Sequence, residues 1–98
     1  MSAPVHSVAG MDAYPVPFLV DRSRAPRYRL VNASAEHLRW VRVEMDGPGV
    51  AAARLTPRLD PGGALEVVVR GPDLARDSRL CVRWLRPNGE EYLWAIAF

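Results

Sequence analysis

The feature that most constrains this chain is a strict period of two. In "ALEVVVR" (residues 64–70) the apolar residues are Leu65, Val67 and Val69, and in "RLCVRWL" (79–85) they are Leu80, Val82 and Trp84. Side chains alternate faces along a strand, so each stretch has one apolar face and one polar or mixed face, whereas on a helix the same residues would scatter around the axis. "YPVPFLV" (14–20) continues the pattern, with Tyr14, Val16, Phe18 and Val20 on one side. Its prolines at 15 and 17 remove ladder donors and so predict an edge strand. "RYRLV" (27–31) turns Tyr28 and Leu30 inward. "RWVRVEM" (39–45) sets Val41, Val43 and Met45 against Trp40, Arg42 and Glu44, a weaker strand covers about 50–56, and "EYLWAIAF" (91–98) closes the chain. Pro, Gly, Asn and Asp separate these runs. The expectation is a single all-β sandwich of about seven antiparallel strands over residues 13–98. Residues 1–12 carry no period and read as a flexible N-terminal arm. Only "PDLARD" (72–77) suits a helical turn.

The last hairpin, "RWLRPNGEEYLW" (83–94), sets which face Trp94 takes. A two-residue Asn88-Gly89 loop would pair Trp84 with Leu93 and expose Trp94, but it places Pro87, which has no N–H, where a donor normally closes the turn. With Pro87 and Asn88 at the centre of a type I turn and Gly89 in the left-handed bulge position, each residue suits its place. That register sets Trp84 opposite Tyr92, Val82 opposite Trp94 and Leu80 opposite Ile96, which makes Trp94 a core residue. The outer face then carries Arg79, Cys81, Arg83, Leu85, Leu93, Ala95 and Ala97.

At 98 residues the chain has room for one core. Its net charge of +2 is too small to mark a polyanion binder by itself. All 13 basic residues are Arg, which points to a coding bias more than to selection for bidentate recognition. The single cysteine allows no internal disulfide and no cysteine-based zinc site. The N-terminus lacks the basic leader and apolar run of a secretory signal, and no stretch approaches the length of a membrane helix. A cytoplasmic protein without membrane attachment is therefore expected.

Two segments resemble a family. "YRLVNASAEHLRWVRVEM" followed by "RLTPRLDPGGALEVVV" is similar to the immunoglobulin-like modules of bacterial and archaeal multidomain proteins, the CARDB and NEW3 types. The matching residues are Asn32 and Ser34, then Leu38, Val41 and Val43, then Leu59, Pro61 and Gly62, then Leu65, Val67 and Val69. The resemblance spans roughly residues 27–70 and implies an immunoglobulin-like or fibronectin III-like sandwich with no catalytic residues to carry over. Such modules usually serve as spacers or adhesive units in exported chains. A single domain without an export signal is not expected to do so.

No chemistry-bearing motif stands out. His6 and His37 start no metal spacing, no nucleophile elbow or phosphate-cradling loop is present, and Asp46, Asp60, Asp73 and Asp77 lack the spacing of a calcium loop. Glu90 and Glu91 are adjacent on a strand and point to opposite faces, a poor geometry for paired carboxylates. Cys81, flanked by Arg79 and Arg83, reads as a small covered side chain. Neither enzymatic activity nor any metal or cofactor is expected.

What remains is an outer sheet face. In an immunoglobulin-like topology the third and sixth strands are neighbours, bringing Trp40 and Arg42 beside Arg83 and Leu85, with Arg79 and Leu93 on the same face. A Trp next to Arg on a solvent face is the composition of an interaction hot spot. The competing expectation is that Trp40 turns inward through a bulge as a core residue, and the sequence leaves the two equal. The primary expectation is a non-catalytic module that binds another protein, or itself, through this face or an edge strand. The alternatives are nucleic-acid or polyanion binding by Arg27, Arg29, Arg42, Arg79 and Arg83 with Trp40 stacking, and a carbohydrate-binding sandwich.

Overall fold

A computed structural model describes residues 4–6, 13–51, 53–71 and 73–98. Its strands are β1 (Pro4–His6), β2 (Ala13–Pro15), β3 (Phe18–Arg24), β4 (Arg27–Asn32), β5 (Leu38–Asp46), β6 (Val50–Ala51), β7 (Arg54–Leu59) and β8 (Ala64–Arg70). After one helical turn, α1 (Leu74–Asp77), come β9 (Arg79–Leu85) and β10 (Glu91–Ala97). β1 and β2 form an antiparallel ribbon, and the other strands make two antiparallel sheets of order β10-β9-β5-β7 and β3-β4-β8-β6.

The apolar faces of the two sheets meet in one core. Leu30, Val67 and Val69 come from one sheet, and Val41, Val43, Leu80, Val82, Trp84, Tyr92 and Ile96 from the other. Trp84 is fully buried at its centre, edge-on to Phe18 at 5.0 Å and stacked on Tyr92 at 6.0 Å between centroids. Its indole Nε1 donates to the Tyr14 hydroxyl, so the one polar atom of this side chain is satisfied. Full burial of side chains this size contributes on the order of 1.5–3 kcal/mol each.

The β9–β10 hairpin has the three-residue turn. Gly89 N–H donates to the Arg86 carbonyl at 2.8 Å, and Gly89 takes a φ of 84° that a Cβ would oppose. Tyr92 pairs with Trp84, Trp94 with Val82 and Ile96 with Leu80. Trp94 accordingly faces the core, half-buried at its margin.

Three expectations are refined. The predicted arm contains β1, while residues 1–3 and 7–12, and the side chain of His6, lie outside the described residues. The strand expected at 14–20 divides at Val16 and Pro17 into β2 and β3, and β3 does lie at a sheet edge. The weak strand expected at about 50–56 is two strands in different sheets, because β6 pairs with β8 and β7 pairs with β5.

Asn32 closes the end of the core. It is fully buried, and its Nδ2 donates to the carbonyls of Glu36 at 2.8 Å and Leu59 at 2.9 Å. Its Oδ1 accepts from the Ser34 amide and hydroxyl. Every hydrogen-bonding position of the carboxamide is thereby filled, which is what permits its burial.

Candidate functional site: the outer face around Trp40

The site is made by a fault in the alternation of β5. Against β9 the register steps from Arg39–Leu85 to Arg42–Arg83, so Trp40 and Val41 together oppose Trp84. This is a β-bulge, and it resets the phase of the strand: Leu38 and Val41 are both buried, while Arg39 and Trp40 are both exposed. On the other side the pairing passes from Arg39–Arg58 to Val41–Thr56, stepping over Trp40 and Pro57. Pro57 has no N–H to offer there, and β7 is the edge strand on which proline is tolerated.

Trp40 itself has a φ of 49°. For a bulky aromatic residue that is a true outlier, costing on the order of 1–3 kcal/mol. The side chain is not carried into the core in exchange, remaining 54% exposed. The core-tryptophan alternative for Trp40 is therefore overturned; the bulge is present, but it directs the ring outward, and Trp84 fills the core instead.

Around Trp40 lies a cleft of about 290 Å³ lined by Arg42, Leu55, Arg83, Leu85 and Glu91. One cross-sheet row runs Leu55–Arg42–Arg83–Leu93, each residue directly opposite the next. Leu55 and Leu93 are exposed ends of that row. Arg42 and Arg83 thus face each other as a like-charge pair, and Arg39 opposes Arg58 in the same way one step along. Like charges directly opposite destabilise a sheet. The local relief is modest, since Arg42 approaches Glu44 at 3.3 Å and Arg83 reaches Glu91 at 3.0 Å, both partly exposed ion pairs of small worth.

Of the residues singled out in the sequence, Trp40, Arg42, Arg83 and Leu85 come together in the cleft, with Leu93 beside Arg83. Arg79 does not join them. Four residues from Arg83 on β9, it lies roughly 13 Å away along the strand, opposite Asp46 and Ala97. Leu55 lies within the strand expected at about 50–56 but reaches the cleft only through the pairing of β7 with β5, and Glu91 follows from the expected register, which sets it opposite Leu85. Arg27 and Arg29 lie on β4, in the other sheet, where Arg29 opposes Glu66 and Asp21. The five arginines grouped for polyanion binding are therefore divided between two opposite outer surfaces.

The other chemistry-bearing residues form structural contacts. His37 Nδ1 lies 2.8 Å from Asp60 Oδ1, and Arg58 Nε donates to the same oxygen. These partners, His37 first, hold the Asp60 carboxyl below the usual range. Among the described residues no hydroxyl or thiol is hydrogen-bonded to His37, and no three His, Cys, Asp or Glu side chains converge as metal ligands. Cys81 is a free, half-covered thiol opposite Glu44 and Ala95. No helix among the described residues is long and apolar enough to cross a membrane. No protein family, curated protein or solved structure matches the chain.

Proposed function

We propose that this chain is a non-catalytic, immunoglobulin-like module that binds another protein through the outer face of the β10-β9-β5-β7 sheet. Two features support the immunoglobulin-like reading. The sheet orders β3-β4-β8 and β10-β9-β5 parallel the A-B-E and G-F-C arrangements of that class, while β6 beside β8 precedes β7 beside β5, the reverse of the chain order of strands C′ and D. The residues that carry the resemblance to the CARDB and NEW3 types, among them Asn32, Leu38, Val41, Leu59, Leu65 and Val67, are buried structural positions.

The observation that carries the binding reading is Trp40, an exposed indole on a strained bulge, with exposed Leu55 beside it and two arginines within the same cleft. Trp and Arg dominate the energetics of protein interfaces, and a patch of this composition marks a partner surface. Affinity capture from host lysate, with wild type and Trp40→Ala compared at moderate salt, tests it. A partner retained by wild type and lost by a mutant with unchanged circular dichroism supports the reading. Equal retention by both would remove this face from the function.

A further inference from the structure

We propose that the Trp40 cleft takes an acidic polypeptide segment, with an apolar side chain of the segment seated against Trp40, Leu55 and Leu85 and a carboxylate bridging Arg42 and Arg83. The inference rests on the protein-binding reading of this face and specifies the chemistry of its partner.

The charge arrangement is what selects an acidic occupant. Arg42 and Arg83 are directly opposite across β5 and β9 within the cleft, whereas Arg39 and Arg58, opposite across β5 and β7, line a separate hollow with His37 and Pro87. The Arg42–Arg83 pairing does not serve the fold, since like charges in that position oppose strand pairing, whereas Arg58 is engaged by Asp60. Glu44 and Glu91 each engage one arginine from the side, and neither bridges the pair. A carboxylate arriving from outside can accept from both guanidinium groups at once, which is the planar recognition for which arginine is suited.

The shape of the cleft limits the occupant further. Its volume of about 290 Å³ has room for one or two side chains, and its apolar wall is formed by Trp40, Leu55 and Leu85. An extended segment carrying Leu or Phe next to Asp or Glu matches both walls. A nucleic-acid strand matches the arginines but leaves Leu55 and Leu85 facing a phosphodiester backbone, and the arginines on β4 that would extend its track lie in the other sheet.

The test is titration of the ¹⁵N-labelled chain with the peptide Asp-Glu-Leu-Asp-Phe-Glu-Asp, its Asn/Gln isostere, and a twelve-nucleotide oligothymidine, each followed by NMR. The expected result is saturable shifts at the Trp40 indole and the Arg42 and Arg83 amides with the acidic peptide. The isostere should bind roughly tenfold or more weakly, and Arg42→Gln/Arg83→Gln should lose a similar factor while keeping a wild-type spectrum elsewhere. Leu55→Ala, which leaves both arginines in place, should weaken the acidic peptide through the apolar wall alone. Equal binding of the isostere at Trp40 overturns the acidic chemistry and leaves the face as a protein-binding surface. Shifts with oligothymidine but not with the acidic peptide overturn the proposal in favour of a polyanion. Concentration-dependent shifts at Trp40 without any ligand overturn it in favour of a second copy. Absence of shifts with the acidic peptide overturns it outright, and the lysate comparison with Trp40→Ala then judges the wider reading alone.

Discussion

Asn32 and Leu59 lie 27 residues apart in the chain, yet the Asn32 carboxamide donates to the Leu59 carbonyl at 2.9 Å inside the protein. The same side chain ties Glu36 and Ser34, while its backbone N–H donates to Gly63 and its carbonyl accepts from Gly62. The end of β4, the entry to β5 and the β7–β8 turn are joined through one residue. Replacing it leaves the buried Leu59 carbonyl without its partner and removes the part-buried bonds to Glu36 and Ser34. Asn32→Ala should destabilise the protein by roughly 2–3 kcal/mol in urea unfolding. A loss below about 0.5 kcal/mol would show that this carboxamide is not the joint described.

Arg86 and Glu36 are 50 residues apart and meet in a bidentate pair, with contacts of 3.1 and 2.8 Å. The Arg86 guanidinium also lies over the Tyr14 ring at 3.9 Å, and its bonds to Glu36 raise its already high pKa further. Planarity serves both contacts. Arg86→Lys should therefore cost about 1 kcal/mol or more despite the retained charge, read from chemical denaturation. Unchanged stability would mean that charge alone suffices there.

Trp40 sets conformational strain against function. Glycine accepts its left-handed backbone without penalty, and little packing is lost with a ring that is 54% exposed. Trp40→Gly should preserve stability or raise it by up to about 1 kcal/mol, and abolish capture of the partner. Destabilisation beyond about 1 kcal/mol would assign the indole a packing role.

Tyr14 supplies a pH dependence. Burial pushes its hydroxyl up to about 12, with the Trp84 hydrogen bond and Arg86 opposing the rise. An unfolded tyrosine ionises near 10, so between about pH 10 and 12 the unfolded state has released a proton that the folded state still holds. Stability from this group is complete below about pH 10 and is lost as pH climbs toward 12. Tyr14→Phe should flatten the alkaline limb of the stability profile. An identical limb in the variant would place the sensitivity in another residue.

Much of the fold is legible in the sequence because strand alternation is a local property. The inward residues of β4, β8, β9 and β10 follow from their spacing, and the proline and glycine of the last turn set the register that brings Trp94 inward. Asn32 and Ser34 are visible as a turn signal, but their reach to Leu59 is not. Half of the cleft is legible in the same way: Arg42, Arg83 and Leu85 are outward by parity.

Trp40 marks where that reasoning ends. Parity continued backward from Val41 buries Arg39 and exposes Leu38; the structure does the reverse, because Leu38 gains a place against Leu59 when one extra residue is bulged out. Likewise β6 and β7 belong to different sheets, so that Leu55 joins Trp40, a consequence of which strand edge each short segment finds. The sequence by itself determined that this protein is all-β, which side chains of β4, β8, β9 and β10 turn toward its core, and how its final hairpin turns. Only the tertiary structure decided that Trp40 faces solvent, that Leu55 joins its surroundings, and that Arg27 and Arg29 are remote from Arg42 and Arg83. Alternation specifies the faces of a strand, whereas its neighbours, its bulges and its sheet are selected by contacts between segments distant in the chain.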